Sequence, residues 1–268
     1  MAPKASAHFL YQGTFSVGLD KKFNRINRDD PPAKGALKIS LNPFLILTPE
    51  RKYLFDVGIG DFGEDTNAEN LVKSLDKFDL GSEDITDIFA SHLHYDHIGG
   101  LAGQDGDDWE LTFPESKLWV SRKGWQKIMA LDEYYDEEKL SFIHFINDKA
   151  NLQYLDDNDQ PYPEIKTKTI GGHTEFSQAL LFNNGNQKYL MAGDVLATRG
   201  EVNRKFAAKY DFDADRSMQN RKELTKKAFE KGYTLMGYHD SHHPLFALTN
   251  YDEQQGYTIN KLEVDESA

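Results

Sequence analysis

Apolar residues fall in short alternating runs through the first ninety positions, the pattern of β-strands separated by polar loops. The runs predict strands over Phe9–Val17, Leu37–Thr48 and Lys52–Val57, the last closing on Gly58. Between the first two, Lys21–Gly35 is rich in charge and carries Pro31 and Pro32, which predicts a long loop. From Asn67 to Phe78 the period changes, with Leu71, Val72, Leu75 and Phe78 at helical spacing and Asn67 as a cap. Ile85–Ser91 then reads as a short buried strand that delivers the chain into His92-Leu93-His94-Tyr95-Asp96-His97-Ile98-Gly99-Gly100.

Residues 109–150 are dense in aromatic and charged side chains, among them Trp109, Trp119, Trp125, Tyr134, Tyr135, Phe142 and Phe145. Their spacing predicts helices near 121–131 and 136–147, either as a lid or as an amphipathic pair packed on the core. After Pro163, strands are predicted over Glu164–Ile170, Gln178–Phe182 and Lys188–Ala192, the last two joined by a turn at Asn183-Asn184-Gly185-Asn186. A helix over Asp215–Lys231 follows, with Met218, Leu224, Ala228 and Phe229 on one face and Gly232 as its stop. Strand Tyr233–Gly237 leads into Tyr238-His239-Asp240-Ser241-His242-His243, and a last strand is expected near Tyr257–Val264. No internal repeat or linker interrupts this order, so a single domain over 1–268 is expected, with 109–150 as a candidate lid segment.

Composition narrows the chemistry. The 268 residues hold 31 Lys and Arg against 44 Asp and Glu, a formal charge of −13. A surface this negative repels polyphosphate and anionic lipid, so no nucleic-acid or membrane partner is expected. With no cysteine, thiolate metal sites, disulfides and a cysteine nucleophile are excluded, and any metal must be held by His, Asp or Glu. No stretch approaches a signal peptide or a spanning helix, from which a soluble, cytoplasmic protein is expected.

The nine histidines of the chain are too few for chance to place three of them beside an aspartate in the six positions from His92 to His97. Side chains two apart on an extended strand end point the same way, so His92 and His94 can share one ion. Asp96 and His97, past the turn, face a second point a few ångströms away, and Gly99 and Gly100 allow a sharp backbone turn behind them.

The run Ser91–Gly100 resembles the signature of the metallo-β-lactamase-fold hydrolases, and further motifs follow in that family's order. Leu54-Phe55-Asp56-Val57-Gly58 is similar to the upstream D-x-G element, Gly171-Gly172-His173-Thr174 to G-H-T, Met191-Ala192-Gly193-Asp194 to G-D, and Gly237-Tyr238-His239 to the final strand-ending histidine. The resemblance implies an α/β fold, a four-layer αββα sandwich with the metal site at the sheet edge. It assigns His92, His94 and His173 to one ion, Asp96, His97 and His239 to a second, and Asp194 to both. His242 and His243 are the alternatives to His239. Two divalent ions are implied, Zn(II) first, with Mn(II), Fe(II) and Co(II) also suited to an all-nitrogen and oxygen donor set.

Such a pair activates water without a serine or cysteine nucleophile. The expected activity is a dinuclear metal-dependent hydrolase in which a metal-bridging hydroxide attacks a lactone or another carboxylic ester of a small molecule. Asp96 is the candidate proton donor to the leaving alkoxide, and the chain is expected to be a monomer or homodimer. The flow from Leu41-Asn42-Pro43-Phe44 into Asp56, together with Asp211-Phe212-Asp213-Ala214-Asp215-Arg216, is similar to the lactonase and organophosphate-hydrolase group. Two positions depart from it. Ala197 stands where the acyl-homoserine-lactone lactonases place a tyrosine, for which Tyr95 and Tyr238 are the nearby substitutes, and His173-Thr174-Glu175-Phe176-Ser177 lacks the second histidine of H-T-P-G-H. Alternatives are a glyoxalase II-like thioesterase or a phosphoester hydrolase and, outside catalysis, a silent or redox metal-binding module. The thioesterase branch carries a basic C-terminal region, whereas residues 240–268 contain only Lys261.

Overall fold

Side-chain alternation along the strands builds the layers. The computed structural model describes residues 5–262 apart from 107, 131–136, 207 and 209. In its first half the strands are β1 (Ser6–Phe9), β2 (Gly13–Val17), β3 (Phe23–Ile26), β4 (Leu37–Leu41), β5 (Phe44–Leu47), β6 (Lys52–Phe55), β7 (Asp87–Phe89), β8 (Ala102–Asp105), β9 (Asp108–Leu111), β10 (Lys117–Ser121) and β11 (Asn151–Leu155). The second half adds β12 (Ile165–Thr169), β13 (Gln178–Asn183), β14 (Lys188–Met191), β15 (Thr234–Met236), β16 (Leu245–Asp252) and β17 (Gly256–Lys261). The helices are α1 (Glu69–Leu75), α2 (Tyr95–Ile98), α3 (Arg122–Met129), α4 (Glu137–Lys149) and α5 (Ala214–Lys231).

One six-stranded sheet runs β1-β5-β6-β7-β10-β11 and a second runs β12-β13-β14-β15-β16-β17, beside smaller sheets β3-β2-β4 and β8-β9. In the first, β6, β7, β10 and β11 are mutually parallel. Leu45, Leu54, Ile88, Leu118 and Val120 on one face pack against Leu71 and Leu75 of α1, Trp125 and Ile128 of α3, and Phe142 and Ile146 of α4. The opposite face, with Phe44, Ile46, Tyr53, Phe55 and Phe89, meets Ile165, Leu180, Phe182, Met191 and Met236 of the second sheet. Leu181, Leu190 and Leu235 on the far side of that sheet pack against Leu224 and Ala228 of α5. Helix, sheet, sheet and helix are thus the four expected layers, each strand serving two cores through its period of two.

The predicted elements hold in kind but shift in extent. The run Leu37–Thr48 breaks at Asn42-Pro43 into β4 and β5, which lie in different sheets. Proline has no N–H for a ladder, and the Asn42 side chain instead donates to the carbonyls of Tyr238 and Asp240 at 2.8 and 3.0 Å. Phe9–Val17 likewise divides into β1 and β2. The expected loop Lys21–Gly35 contains β3, an edge strand with two exposed positions that reads as polar. The aromatic segment contributes β9 and β10 as well as α3 and α4, and Trp125, Phe142, Ile143 and Ile146 lie in the core. Tyr134, Tyr135 and Val264 lie outside the described residues. No described helix is long and apolar enough to cross a membrane.

Backbone meets backbone where β6 and β7 run out. Val57 N donates to His97 O at 2.8 Å and Gly100 N to Gly58 O at 3.1 Å. A Cβ at Gly99 would stand 2.1 Å from Ile59 O, and one at Gly100 2.1 Å from Val57 O. These glycines are needed for closeness of approach, because Gly99 itself has a helical φ of −58°. Gly100→Ala is therefore expected to destabilise the fold by about 1–3 kcal/mol, the range for overpacking. Urea unfolding tests this, through a lower midpoint at unchanged slope.

Candidate metal centre

The histidine run begins where β7 ends. Asp56, directly after β6, is fully buried with a φ of +56°, a left-handed conformation that aspartate tolerates better than most residues. Its Oδ1 accepts from Ser91 N at 2.7 Å, and its Oδ2 from Ser91 Oγ at 2.7 Å and His97 Nδ1 at 2.6 Å. The single turn of α2 is entered from an extended His94 and closed by His97 N donating to His94 O at 2.9 Å. This turn points Asp96 and His97 inward behind His92 and His94.

The second sheet supplies the other donors. His173 lies in the loop from β12 to β13, Asp194 follows β14, and His239 follows β15. The structure brings all seven expected residues together. His94 Nδ1 lies 3.0 Å from His92 Nε2 and 3.1 Å from His173 Nε2. Asp194 Oδ2 is 3.3 Å from His173 Nε2, while its Oδ1 is 3.2 Å from His97 Nε2 and 3.0 Å from His239 Nε2. Asp96 Oδ2 approaches the same two nitrogens at 3.6 and 3.5 Å. His242 lies elsewhere, 3.6 Å from Asp29 and half exposed, and neither it nor His243 joins a donor cluster among the described residues.

These donors fit a metal. His97 Nε2, Asp194 Oδ1 and His239 Nε2 are buried and close together, yet none makes a hydrogen bond. Buried nitrogen and carboxylate atoms that converge without hydrogen-bond geometry suit a coordination set better than a hydrogen-bond network. The donor atoms of His92, His94 and His173 lie within 4.8 Å of one another, as do those of Asp96, His97 and His239 and those of His92, His97 and Asp194.

Each inward Nε2 is matched by an outward Nδ1 with its own partner. Ser91 Oγ faces His92 at 3.1 Å, Asp56 faces His97, Asp211 Oδ1 faces His173 at 3.0 Å and the Ser40 carbonyl faces His239 at 2.9 Å. Such partners fix tautomer and ring orientation. His94 differs in turning Nδ1 inward and in being exposed.

Electrostatics follow from this packing. Burial, then the neighbouring His97 and His94, hold His92 well below the usual imidazole range; desolvation of the inward edge of the His94 ring, whose outer edge meets solvent, together with His173 brings His94 to about 4. Burial also opposes charge on His97, but Asp96, Asp194 and Asp56 outweigh it and push His97 well up. Asp194 is buried too, and His239, His173 and His97 nevertheless hold it well below the carboxylate range. The neutral His92 and His94 and the ionised Asp194 already have the protonation states that metal binding requires, whereas His97 and His239, both raised by the carboxylates beside them, would release a proton on binding an ion.

Several contributors carry no sequence signature. Asp211 was visible only as part of an acidic turn. Glu201 is buried and accepts from Ala197 N and Thr198 N at 2.8 and 3.2 Å, which shapes the loop after Asp194. Tyr210 sets its ring 6.0 Å from that of His173 and is 55% exposed. The tyrosines considered from sequence are otherwise engaged. Tyr238 is fully buried, accepts from Gly58 N and donates to Asp96 O at 2.6 Å, and Tyr95 packs on Phe62 at 4.8 Å.

The profile of the metallo-beta-lactamase superfamily matches residues 40–237, and no curated protein matches the sequence. Among solved structures, a probable metal-dependent hydrolase from Staphylococcus aureus aligns over 98% of this chain and 100% of its own, at 19% identity and a TM-score of 0.75. AidC, a dizinc quorum-quenching lactonase in complex with a product, aligns over 98% and 96% at 22% identity and a TM-score of 0.76. A variant of Bacillus thuringiensis AiiA with N-decanoyl-L-homoserine bound at its active site aligns over 90% and 94% at 19% identity and a TM-score of 0.65. At these identities the likeness is one of fold, and the profile match extends it to lineage. The chain belongs to the metallo-beta-lactamase superfamily.

Proposed function

We propose that the protein is a dinuclear hydrolase that opens a lactone or cleaves another carboxylic ester. The observation that carries this reading is Asp194, whose Oδ2 faces His173 at 3.3 Å while its Oδ1 faces His97 and His239 at 3.2 and 3.0 Å. A carboxylate turned to two nitrogen clusters at once suits a bridge between two ions. In this reading His92, His94 and His173 hold the first ion and Asp96, His97 and His239 the second. Zn(II) is the first candidate for both, as in the dizinc relative.

Divalent ions held there supply Lewis acidity, which makes water nucleophilic near neutral pH and polarises an ester carbonyl. The protein's own groups do the rest. Asp96 turns Oδ2 toward His97 and His239, leaving Oδ1 to take the proton released by the attacking water. As the acyl C–O bond breaks, Asp96 returns that proton to the departing alkoxide.

The mouth of the site favours a substrate with an apolar part. Phe206, Tyr210 and Phe212 are 65%, 55% and 65% exposed, and Tyr210 adjoins His173. Tyr210, beside the His173 ring, and Phe212, whose backbone bonds to His173 O, would offer hydrocarbon a docking surface next to the centre.

Two measurements test this reading. Proton release on adding a long-chain acyl-homoserine lactone to zinc-reconstituted protein is expected, with two zinc per chain by elemental analysis. Metal stripping, Asp194→Ala or His92→Ala should lower the rate by on the order of 100-fold or more; undiminished hydrolysis in any of them would overturn the assignment. Across esters of increasing acyl length, Tyr210→Ser with Phe212→Ser should lower kcat/KM about tenfold for the longest chain, or about 1.4 kcal/mol of lost burial. The shortest chain should be unaffected, and an equal loss at every length would remove the docking role.

A further inference from the structure

We propose that Asp211 is a positioning residue for the first ion, and that this ion is the exchangeable one of the pair. The inference rests on the dinuclear reading above and concerns how unequally the two ions are held.

The two donor sets are built differently. His97, in the second set, is backed by the Asp56 carboxylate, which Ser91 also grips through its backbone and hydroxyl. Both sets are deeply placed, with His97 and His239 at 0% and 6% exposure and His92 and His173 at 4% and 6%, so that His94 alone stands apart. The first set contains His94, which is exposed, and His92, whose Nδ1 meets only a hydroxyl. Its one carboxylate support among the described residues is Asp211 on His173, at 3.0 Å.

Asp211 is held for this contact. The two residues after it clasp the loop that carries the ligand, Phe212 N donating to His173 O at 3.0 Å and Asp213 N to Gly172 O at 2.8 Å. Asp213 then caps α5, accepting from Arg216 N. Gly172 sits at a φ of +104°, and a Cβ there would stand 2.7 Å from Ser217 Cα, so loop and helix meet without intervening side chains.

The charge of Asp211 also needs an answer. Its side chain is 1% exposed, and while Oδ1 meets the imidazole, Oδ2 is buried without a hydrogen bond. A buried carboxylate left half-satisfied is costly unless positive charge lies close by. A cation on the far nitrogen of His173 supplies that charge through the ring. Asp211 in turn keeps the proton on Nδ1 and the lone pair of Nε2 toward the ion.

The test uses the full-length protein loaded with Co(II), titrated with a competing chelator and followed by visible absorption and elemental analysis. Wild-type protein should release its two ions in separate steps. Asp211→Asn, which keeps shape but removes charge, should bind the ion released first about 10–100-fold more weakly, the usual effect of losing such a partner, and the second ion unchanged. His94→Ala alters an exposed side chain and provides the independent variant. It should leave one Co(II) per chain, with the same spectrum as the ion retained by Asp211→Asn. Unchanged affinity for both ions in Asp211→Asn, equal weakening of both, or different retained spectra in the two variants would overturn the proposal. Wild-type protein that binds fewer than two ions would instead overturn the dinuclear reading itself.

Discussion

The buried carboxylate of Asp56 is the contact on which the centre depends. It stands at the end of β6 with a backbone conformation of positive φ, a choice that costs about 1–2 kcal/mol for a residue with a Cβ. Three donors offset that cost, and they come from the two places that must be aligned: Ser91, where β7 runs out, and His97, on the turn beyond. Because Ser91 Oγ gives its proton to Asp56, it remains free to accept from His92. One anion therefore orients two histidines, one directly and one through a hydroxyl.

The layered fold makes such a contact possible. Parallel strands β6 and β7 end side by side, so the loops that follow emerge together at one edge of the sandwich. On the facing sheet, β14 and β15 are the parallel pair, and Asp194 and His239 emerge beyond their ends. Asn42 ties the edges together, since the residue beside the proline that separates β4 from β5 also holds the chain around His239.

How much of this is legible in the sequence depends on whether a feature is local. The run from His92 to His97 is readable because four donors fall in six adjacent positions on a strand end. His173, Asp194 and His239 are readable only by their order behind predicted strands, since a lone histidine before a turn says nothing by itself. The helix over 215–231 is legible to within a residue because period and a glycine stop agree. Strand β3 is not, since an edge strand with a solvated face needs little apolar pattern, and β10 is hidden among aromatics and charges that equally suit a helix. Asp211 is legible only as one member of an acidic turn and Glu201 not at all, for a different reason. An acidic residue in a loop becomes remarkable only when packing buries it, and that burial is made by residues far away in the chain.

The division of the ligands between halves of the chain carries a mechanical consequence. Everything up to β11 builds the first sheet and its attachments, and everything from β12 onward builds the second. His92, His94, Asp96 and His97 belong to the first half; His173, Asp194 and His239 belong to the second. Any ion shared between them acts as a cross-link closing a long loop, in a chain that has no cysteine with which to make a covalent one. Unlike a disulfide, this link strengthens with the free concentration of its ion, as RT ln(1 + [L]/Kd). With such an ion bound, the cohesion of the sandwich would be a property of the surrounding metal supply as well as of the polypeptide.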